Sequence, residues 1–292
     1  MNMTRKNVLN GLLFISPWIV GFLCFTAYPL ISSFYYSLTD YDIINQPVFV
    51  GLENYKTLFT GDDLFYKVLK NTLYMVFVGI SVITLCTIFI SILLNNKKIK
   101  GMAFFRVVFF LPTLVPFVIL SILWVWVLQP DSGVVNTILG WVGIEGPGWF
   151  SSPAWAKPSF ILMGLWGAGG SIIIYLAGLQ GIPESLYEAA SIDGANSMQK
   201  VFSVTLPMLR PVILFNVITG IIGTFQSFAE TFIITQGGPN GSTMFYSLYL
   251  YQNAFQYAKM GYASAMAWVL LLIALTFTLI LFKVSSRWGN ND

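Results

Sequence analysis

The sequence predicts an all-α membrane protein of six spanning helices, and three observations carry that prediction. The chain of 292 residues is 56% hydrophobic and only 9% charged, whereas a soluble domain is roughly 25% charged. Six apolar, uncharged runs recur along it, each long enough for the roughly 20 helical residues that cross a hydrocarbon core of about 30 Å. None shows the apolar/polar alternation of a barrel strand, and a helix satisfies its own amides where no water can.

The runs are Asn7–Thr39, Asn71–Asn96, Val107–Pro130, Pro158–Pro183, Pro211–Ala229 and Met260–Phe282. They place spans at about 9–38, 72–95, 103–128, 158–181, 211–235 and 260–283, within a single domain covering 1–292. The first run is longer than the lipid needs, so Pro17 and Pro29 are expected to kink it, or its ends to leave the hydrocarbon. Arg5 and Lys6 before LLFISPWIVGFLCF also suit a signal peptide, but no small-residue cleavage site follows, and a retained span is the reading. Cys24 and Cys86 sit inside apolar runs without metal or disulfide spacing and are read as packing residues.

Six spans put both termini on one side. Arg5, Lys6, Lys97, Lys98, Lys100, Arg106, Lys200, Arg210, Lys283 and Arg287 share that side, against Lys56, Lys67, Lys70, Lys157 and Lys259 opposite. Basic residues accumulate in cytoplasmic loops, so both termini are expected in the cytoplasm. The net charge of +3 follows from this topology, and no basic patch interleaved with aromatics points to nucleic acid.

Between spans four and five lies a polar, helix-prone loop at 182–210. Pro183 suits a first helical turn, Glu184 and Glu188 suit its positive end, and Gly194 suits its stop, which predicts a helix from Glu184 to Asp193. A second helix, Ser197 to Thr205, is expected before Leu206–Pro207 turns the chain back to the membrane. Physics alone leaves two readings open: docking onto a cytoplasmic partner, or lying in the membrane interface.

The residues EAASIDGANSMQKVFSVTLP resemble the EAA loop of ABC importer permeases, with Glu188-Ala189-Ala190, then Asp193-Gly194-Ala195, then Leu206-Pro207 at that family's spacing. FLPTLVPFVILSILWVWVL, YLAGLQGIP, TQGGPNGST and PWIVGFLCFTAYPLISSFYYSLTDY are similar to its sugar-transport branch, so the resemblance covers nearly the whole chain. It implies a type I permease fold, in which the loop is a coupling helix seated in the cleft of an ATPase. Glu188 would make the charged contact, Ala189 and Ala190 would fit the groove, and Gly194 would permit the turn after Asp193. No G-x-x-x-x-G-K-[ST] phosphate loop occurs, so ATP and Mg are expected in the partner, with no cofactor and no catalytic or metal-binding residue here. The implied assembly adds a second permease subunit, two cytoplasmic ATPases and an extracytoplasmic sugar-binding protein in a bacterial or archaeal cytoplasmic membrane.

A translocation path is sought in span five, where Gly220, Thr224, Ser227 and Thr231 follow i, i+4, i+7 and i+11 and would share one helical face. Gly223, Ser227 and Glu230 would form an overlapping stripe. Such a face suits sugar hydroxyls, with Phe225 or Phe228 able to stack on a ring; bonding to a neighbouring helix is the alternative. Glu230 is the sole acid inside an apparent span, which marks it for function. By resemblance, span four also touches sugar, which brings in Gly167 and Gly170, although glycines there also suit tight helix packing. Two rival functions remain: an ion-driven carrier using Glu230, and a non-transporting scaffold. The cargo is expected to be an oligosaccharide, with glycerol phosphate as the alternative.

Overall fold

The computed structural model describes residues 3–96 and 101–289. Lys97, Lys98 and Lys100 of the expected cytoplasmic basic set lie outside the described residues, as do the side chains of Arg5, Lys6 and Arg287.

Four helices are long and apolar enough to cross a membrane unbroken: Asn10–Ser37, Asp63–Leu94, Ser197–Phe225 and Met260–Ser285. Two helix pairs are long and apolar enough only when each is taken together, Met102–Leu114 with Phe117–Val127, bent by 104°, and Ala156–Gly167 with Gly169–Gln180, bent by 52°. The helix expected for each run is therefore divided in two at runs three and four. In the third, Val115 leaves the helical region (ψ 126°) because the Pro116 ring crowds the residue before it, and Pro116 itself is extended at ψ 135°. In the fourth, Ala168 (φ −80°, ψ 12°) separates the two halves.

The first span does not break at its prolines. A π turn, Leu23–Ala27, joins Met3–Phe22 to Tyr28–Ser37. Pro29 lacks an N–H and would press on the carbonyl four residues back, Phe25, which the wider turn displaces. The same device overturns the expected turn at Leu206–Pro207. Residues 201–205 form a π turn, and the helix continues from Ser197 to Phe225 through Pro207 and Pro211.

The chain divides into two compact units, Met1–Asp63 with Leu250–Leu272, and Leu64–Tyr249 with Ile273–Asp292. In the first, a two-stranded antiparallel ladder pairs Thr39 with Phe49 and Asp40 with Val48. Asn54 closes the end of the first span by donating to the carbonyls of Ser37 (3.0 Å) and Thr39 (2.8 Å), and the Tyr55 hydroxyl donates to the Ser37 hydroxyl (2.8 Å). Phe34 meets Trp268 edge to face at 5.0 Å.

In the second unit, Arg106 donates from Nη2 to the Leu94 carbonyl (3.0 Å), a cation on the free carbonyls at a helix C-terminus. Asn71 is buried in Asp63–Leu94 and ties down the segment after span five. Its amide donates to the carbonyls of Gly241 (2.8 Å) and Met244 (3.2 Å), and its oxygen accepts from Lys157 (2.9 Å). A hydrophobic cluster of Leu120, Trp124, Leu128, Trp149, Phe160, Met163 and Phe245 packs beside it. The outer helix Val134–Trp141 leaves Val134, Ile138 and Trp141 exposed on one stripe, as a helix lying in an interface does.

Candidate functional site

The loop between spans four and five is a two-helix elbow. Pro183 precedes a helix from Glu184 to Ile192, one residue shorter than expected, with Asp193 as its C-cap. Gly194 takes φ +79°, a conformation that a Cβ disfavours. The Ala195 N–H reaches back to the Ala190 carbonyl (2.9 Å) and the Gly194 N–H to that of Ser191 (3.1 Å), the paired bonds of a Schellman stop. Two residues later Asn196 starts the next helix with a reciprocal capping box, accepting from the Gln199 N–H (2.9 Å) while the Gln199 side chain accepts from the Asn196 N–H (2.7 Å). Stop and start thus occupy three residues, and the angle between the two short helices is held by hydrogen bonds.

The elbow is also keyed to the spans. Lys200 donates to the Ser191 hydroxyl (2.7 Å), and the Tyr187 hydroxyl pairs with that of buried Thr205 (2.9 Å). Tyr187 packs with Val204 against Leu179, Ile182 and Leu209. A Cβ on Gly178 would lie 2.9 Å from Leu209 and 3.0 Å from Val212, so the helices leading into and out of the elbow cross at close range.

The remaining surface is open. Glu188, Ala189, Asp193 and Gly194 are exposed and Ala190 is half-buried. Around them Ile192 (87%), Met198 (66%) and Phe202 (63%) present apolar side chains to the outside. Carboxylate, small residues and apolar side chains together form a surface suited to a partner with a complementary groove.

The expected path residues fare differently. The shared face in span five does not form, because the helix ends at Phe225, Phe228 is non-helical (φ −128°), and a short helix restarts at Ala229–Ile234. The Ser247 hydroxyl accounts for the freed Phe225 carbonyl (2.6 Å). Ser227 sits in the break and donates to the carboxylate of Glu230, so these two are brought together. Ser227-x-x-Glu230 has the spacing of a capping box, but the helix starts one residue later, with Phe228 as its N-cap and no side-chain cap, and the two residues meet side chain to side chain. Thr231 is fully buried and its hydroxyl donates to the Phe228 carbonyl (3.0 Å). Gly220 packs on Ile80, whereas Gly223 meets nothing within 4 Å and Thr224 is half-buried on the last turn.

The glycines of span four separate as cleanly. A Cβ on Gly169 would overlap the Phe109 carbonyl oxygen and lie 3.0 Å from Phe110 Cα, so this glycine seats the bend of span four on the break of span three. Gly167 and Gly170 meet nothing within 4 Å and remain open to a ligand or a second subunit.

Comparison with known proteins connects these features to a family. Residues 87–288 match the model of the binding-protein-dependent transport system inner membrane component. The chain belongs to this family. The inner-membrane permease is 46% identical over 97% of its length to the probable ABC transporter permease protein YesP of Bacillus subtilis, covering 93% of that protein. It is 37% identical to the lactose transport system permease protein LacF of Rhizobium radiobacter, over 96% of this chain and 95% of that one. In the crystal structure of a bacterial alginate ABC transporter in complex with alginate pentasaccharide-bound periplasmic protein, one chain matches with TM-score 0.82 and 26% identity, over 98% of this chain and 96% of that chain. The permease is thus a transport subunit with the importer fold, and the ion-driven carrier and the scaffold fall away.

Proposed function

We propose that this permease carries an oligosaccharide across the cytoplasmic membrane, coupled through its elbow to ATP hydrolysis in a separate ATPase. The observation that carries the coupling half is the elbow itself, braced against the flanking helices, exposed at Glu188 and Ala189 and half-buried at Ala190. The cargo half rests on the relatives, one named for lactose and one structure bound to a pentasaccharide-loaded periplasmic protein.

The mechanism follows from stiffness. Driving a two-state channel from 1:99 to 99:1 takes roughly 5.5 kcal/mol of differential binding. An element passing on such a bias must not yield first, and the Schellman stop, the capping box and the Tyr187–Thr205 pair oppose yielding at the turn. Closure of two ATPase subunits around ATP and Mg moves their clefts, the elbow follows as a rigid body, and the spans rooted at Gly178 and Leu209 change the side to which the path opens. In this reading the elbow and both termini face the cytoplasm, and an extracytoplasmic binding protein delivers cargo to a channel shared with a second permease subunit. Ser227 and Glu230, with the open Gly167, Gly170 and Thr224, are the residues of this chain placed on that channel.

Mild-detergent affinity purification of the permease, with mass spectrometry of copurifying proteins, tests the assembly. Recovery of an ATPase, a second permease and a binding protein supports the proposal, and recovery of this chain alone after crosslinking refutes it. In the recovered complex, Glu188→Ala and Gly194→Asp are expected to lower cargo-stimulated ATP hydrolysis while membrane insertion stays normal. Unchanged stimulation in both removes the coupling role.

A further inference from the structure

A half-open cavity of about 670 Å³ lies at the end of span three, lined among others by Trp126, Gln129, Asp131, Phe150, Ser151 and Thr235. None of these belongs to the elbow or to the Ser227–Glu230 pair. The volume lies within the roughly 300–1,000 Å³ of small-ligand sites.

Its walls are fixed from both sides. Asn136 donates to the carbonyls of Pro130 (2.9 Å) and Pro147 (3.2 Å) and accepts from the Trp149 indole (2.6 Å), which sets the loop carrying Asp131 against the loop carrying Phe150 and Ser151. Phe150 is held edge to face on Phe160 at 5.1 Å. On the far wall the Thr235 and Thr243 hydroxyls pair at 2.7 Å, and Thr243 donates to the Gly238 carbonyl (2.5 Å).

The lining itself is unspent. Trp126 is 71% exposed, and Gln129, Asp131 and Ser151 are exposed with no side-chain hydrogen bond or ion pair among the described residues. The lining therefore combines an indole, a phenyl ring, one carboxylate, one carboxamide and one unpaired hydroxyl on a braced frame. An aliphatic chain leaves the carboxylate and amide without partners, at a desolvation cost. A pyranose suits such a lining chemically, because its C–H face stacks on aromatic rings and its hydroxyls donate to a carboxylate and bond an amide or a hydroxyl.

We propose that this cavity is a saccharide-binding vestibule, separate from the channel residues, that takes one ring of a neutral oligosaccharide and disfavours acidic sugars because the Asp131 carboxylate faces the ligand. The inference rests on the reading of the cargo as a sugar. A carboxylate opposite a uronate repels it, whereas sugar hydroxyls donate to it, so Asp131 acts as a charge filter.

Saturation-transfer NMR on the full-length permease in lipid nanodiscs tests this, with maltotriose, xylotriose and lactose as neutral probes and trigalacturonate as the acidic one. At least one neutral probe is expected to bind, with affinity falling at least tenfold in Trp126→Ala and unchanged in Trp141→Ala, an exposed tryptophan outside the cavity. Trigalacturonate is expected to bind Asp131→Asn at least tenfold more tightly than the unsubstituted chain. No binding by any neutral probe overturns the site, as does a Trp126→Ala chain that binds normally. Equal affinity of the unsubstituted chain for neutral and acidic probes overturns the filter. The readout needs no partner, so failure to copurify an ATPase with sugar binding intact refutes the importer reading and leaves the vestibule standing. Copurification with no Trp126-dependent binding does the reverse.

Discussion

The three glycines around the bend of span four differ only in what surrounds them, so substituting each with alanine isolates one close contact. A methyl group on Gly169 would lie 3.0 Å from Phe110 Cα and 3.0 Å from Thr113 Cγ2, and would overlap the Phe109 carbonyl oxygen. Carbon atoms rest about 3.5–4.0 Å apart, so the two helices must separate by at least about 0.5 Å. The obstacle is backbone, and no rotamer change relieves it. Overpacking costs typically about 1–3 kcal/mol, and this site belongs at the upper end, near 3 kcal/mol or roughly a hundredfold in the folded ratio. Gly167→Ala and Gly170→Ala meet nothing within 4 Å and are expected to stay within about 0.5 kcal/mol. Thermal unfolding of the three purified variants in one detergent, followed by loss of the monodisperse size-exclusion peak, reads the difference directly. Equal midpoints for Gly169→Ala and Gly170→Ala would refute the claim that Gly169 seats span four on the break of span three. A transport defect in Gly170→Ala at normal stability would place that glycine on the channel.

Further outcomes follow from the polar latches. Asn196→Ala removes the side-chain arm of the capping box, the acceptor for the Gln199 N–H, and is expected to cost about 1 kcal/mol locally, visible as faster amide exchange at 197–200 with the spans unchanged. Asn71→Ala strips the carbonyls of Gly241 and Met244 and the Lys157 ammonium of a buried partner. The cost is about 1–3 kcal/mol, and protease sensitivity should rise within 236–244. Ser227→Ala and Glu230→Ala each break the pair in the fifth-span gap and should alter uptake kinetics without releasing the ATPase, whereas Thr231→Val, at a buried hydroxyl, should act on stability first.

Long uncharged runs made the membrane-spanning helices legible, because length and composition alone decide what lipid tolerates. Local rules also located the helix ending before Gly194, where glycine alone supplies the αL stop, and the resemblance assigned the surrounding residues to coupling. Interruptions within a run were harder. The break at Val115–Pro116 was signalled by the proline, but uninterrupted hydrophobicity outweighed it, and the helix after the gap before Ala229 starts without a side-chain cap. At Leu206–Pro207 the error ran the other way, since a proline that would end an ordinary helix is absorbed by a wider turn. Gly169 was indistinguishable from Gly167 and Gly170 because the difference lies in another span. The vestibule was invisible for the same reason: residues 126, 131, 150 and 235 come together only after folding.

The π turns carry a consequence for angular register. Among the described residues they occur at Leu23–Ala27, Thr57–Gly61, Met75–Gly79, Val201–Thr205 and Gln252–Gln256. Each admits one extra residue, so every side chain beyond it is rotated by about 100° relative to a uniform 3.6-residue wheel. A helical wheel drawn through Asp63–Leu94 therefore assigns the wrong azimuth to everything on one side of Met75. A cysteine-labelling scan along that helix should show a periodicity that holds, slips by a single position between 75 and 79, and then resumes.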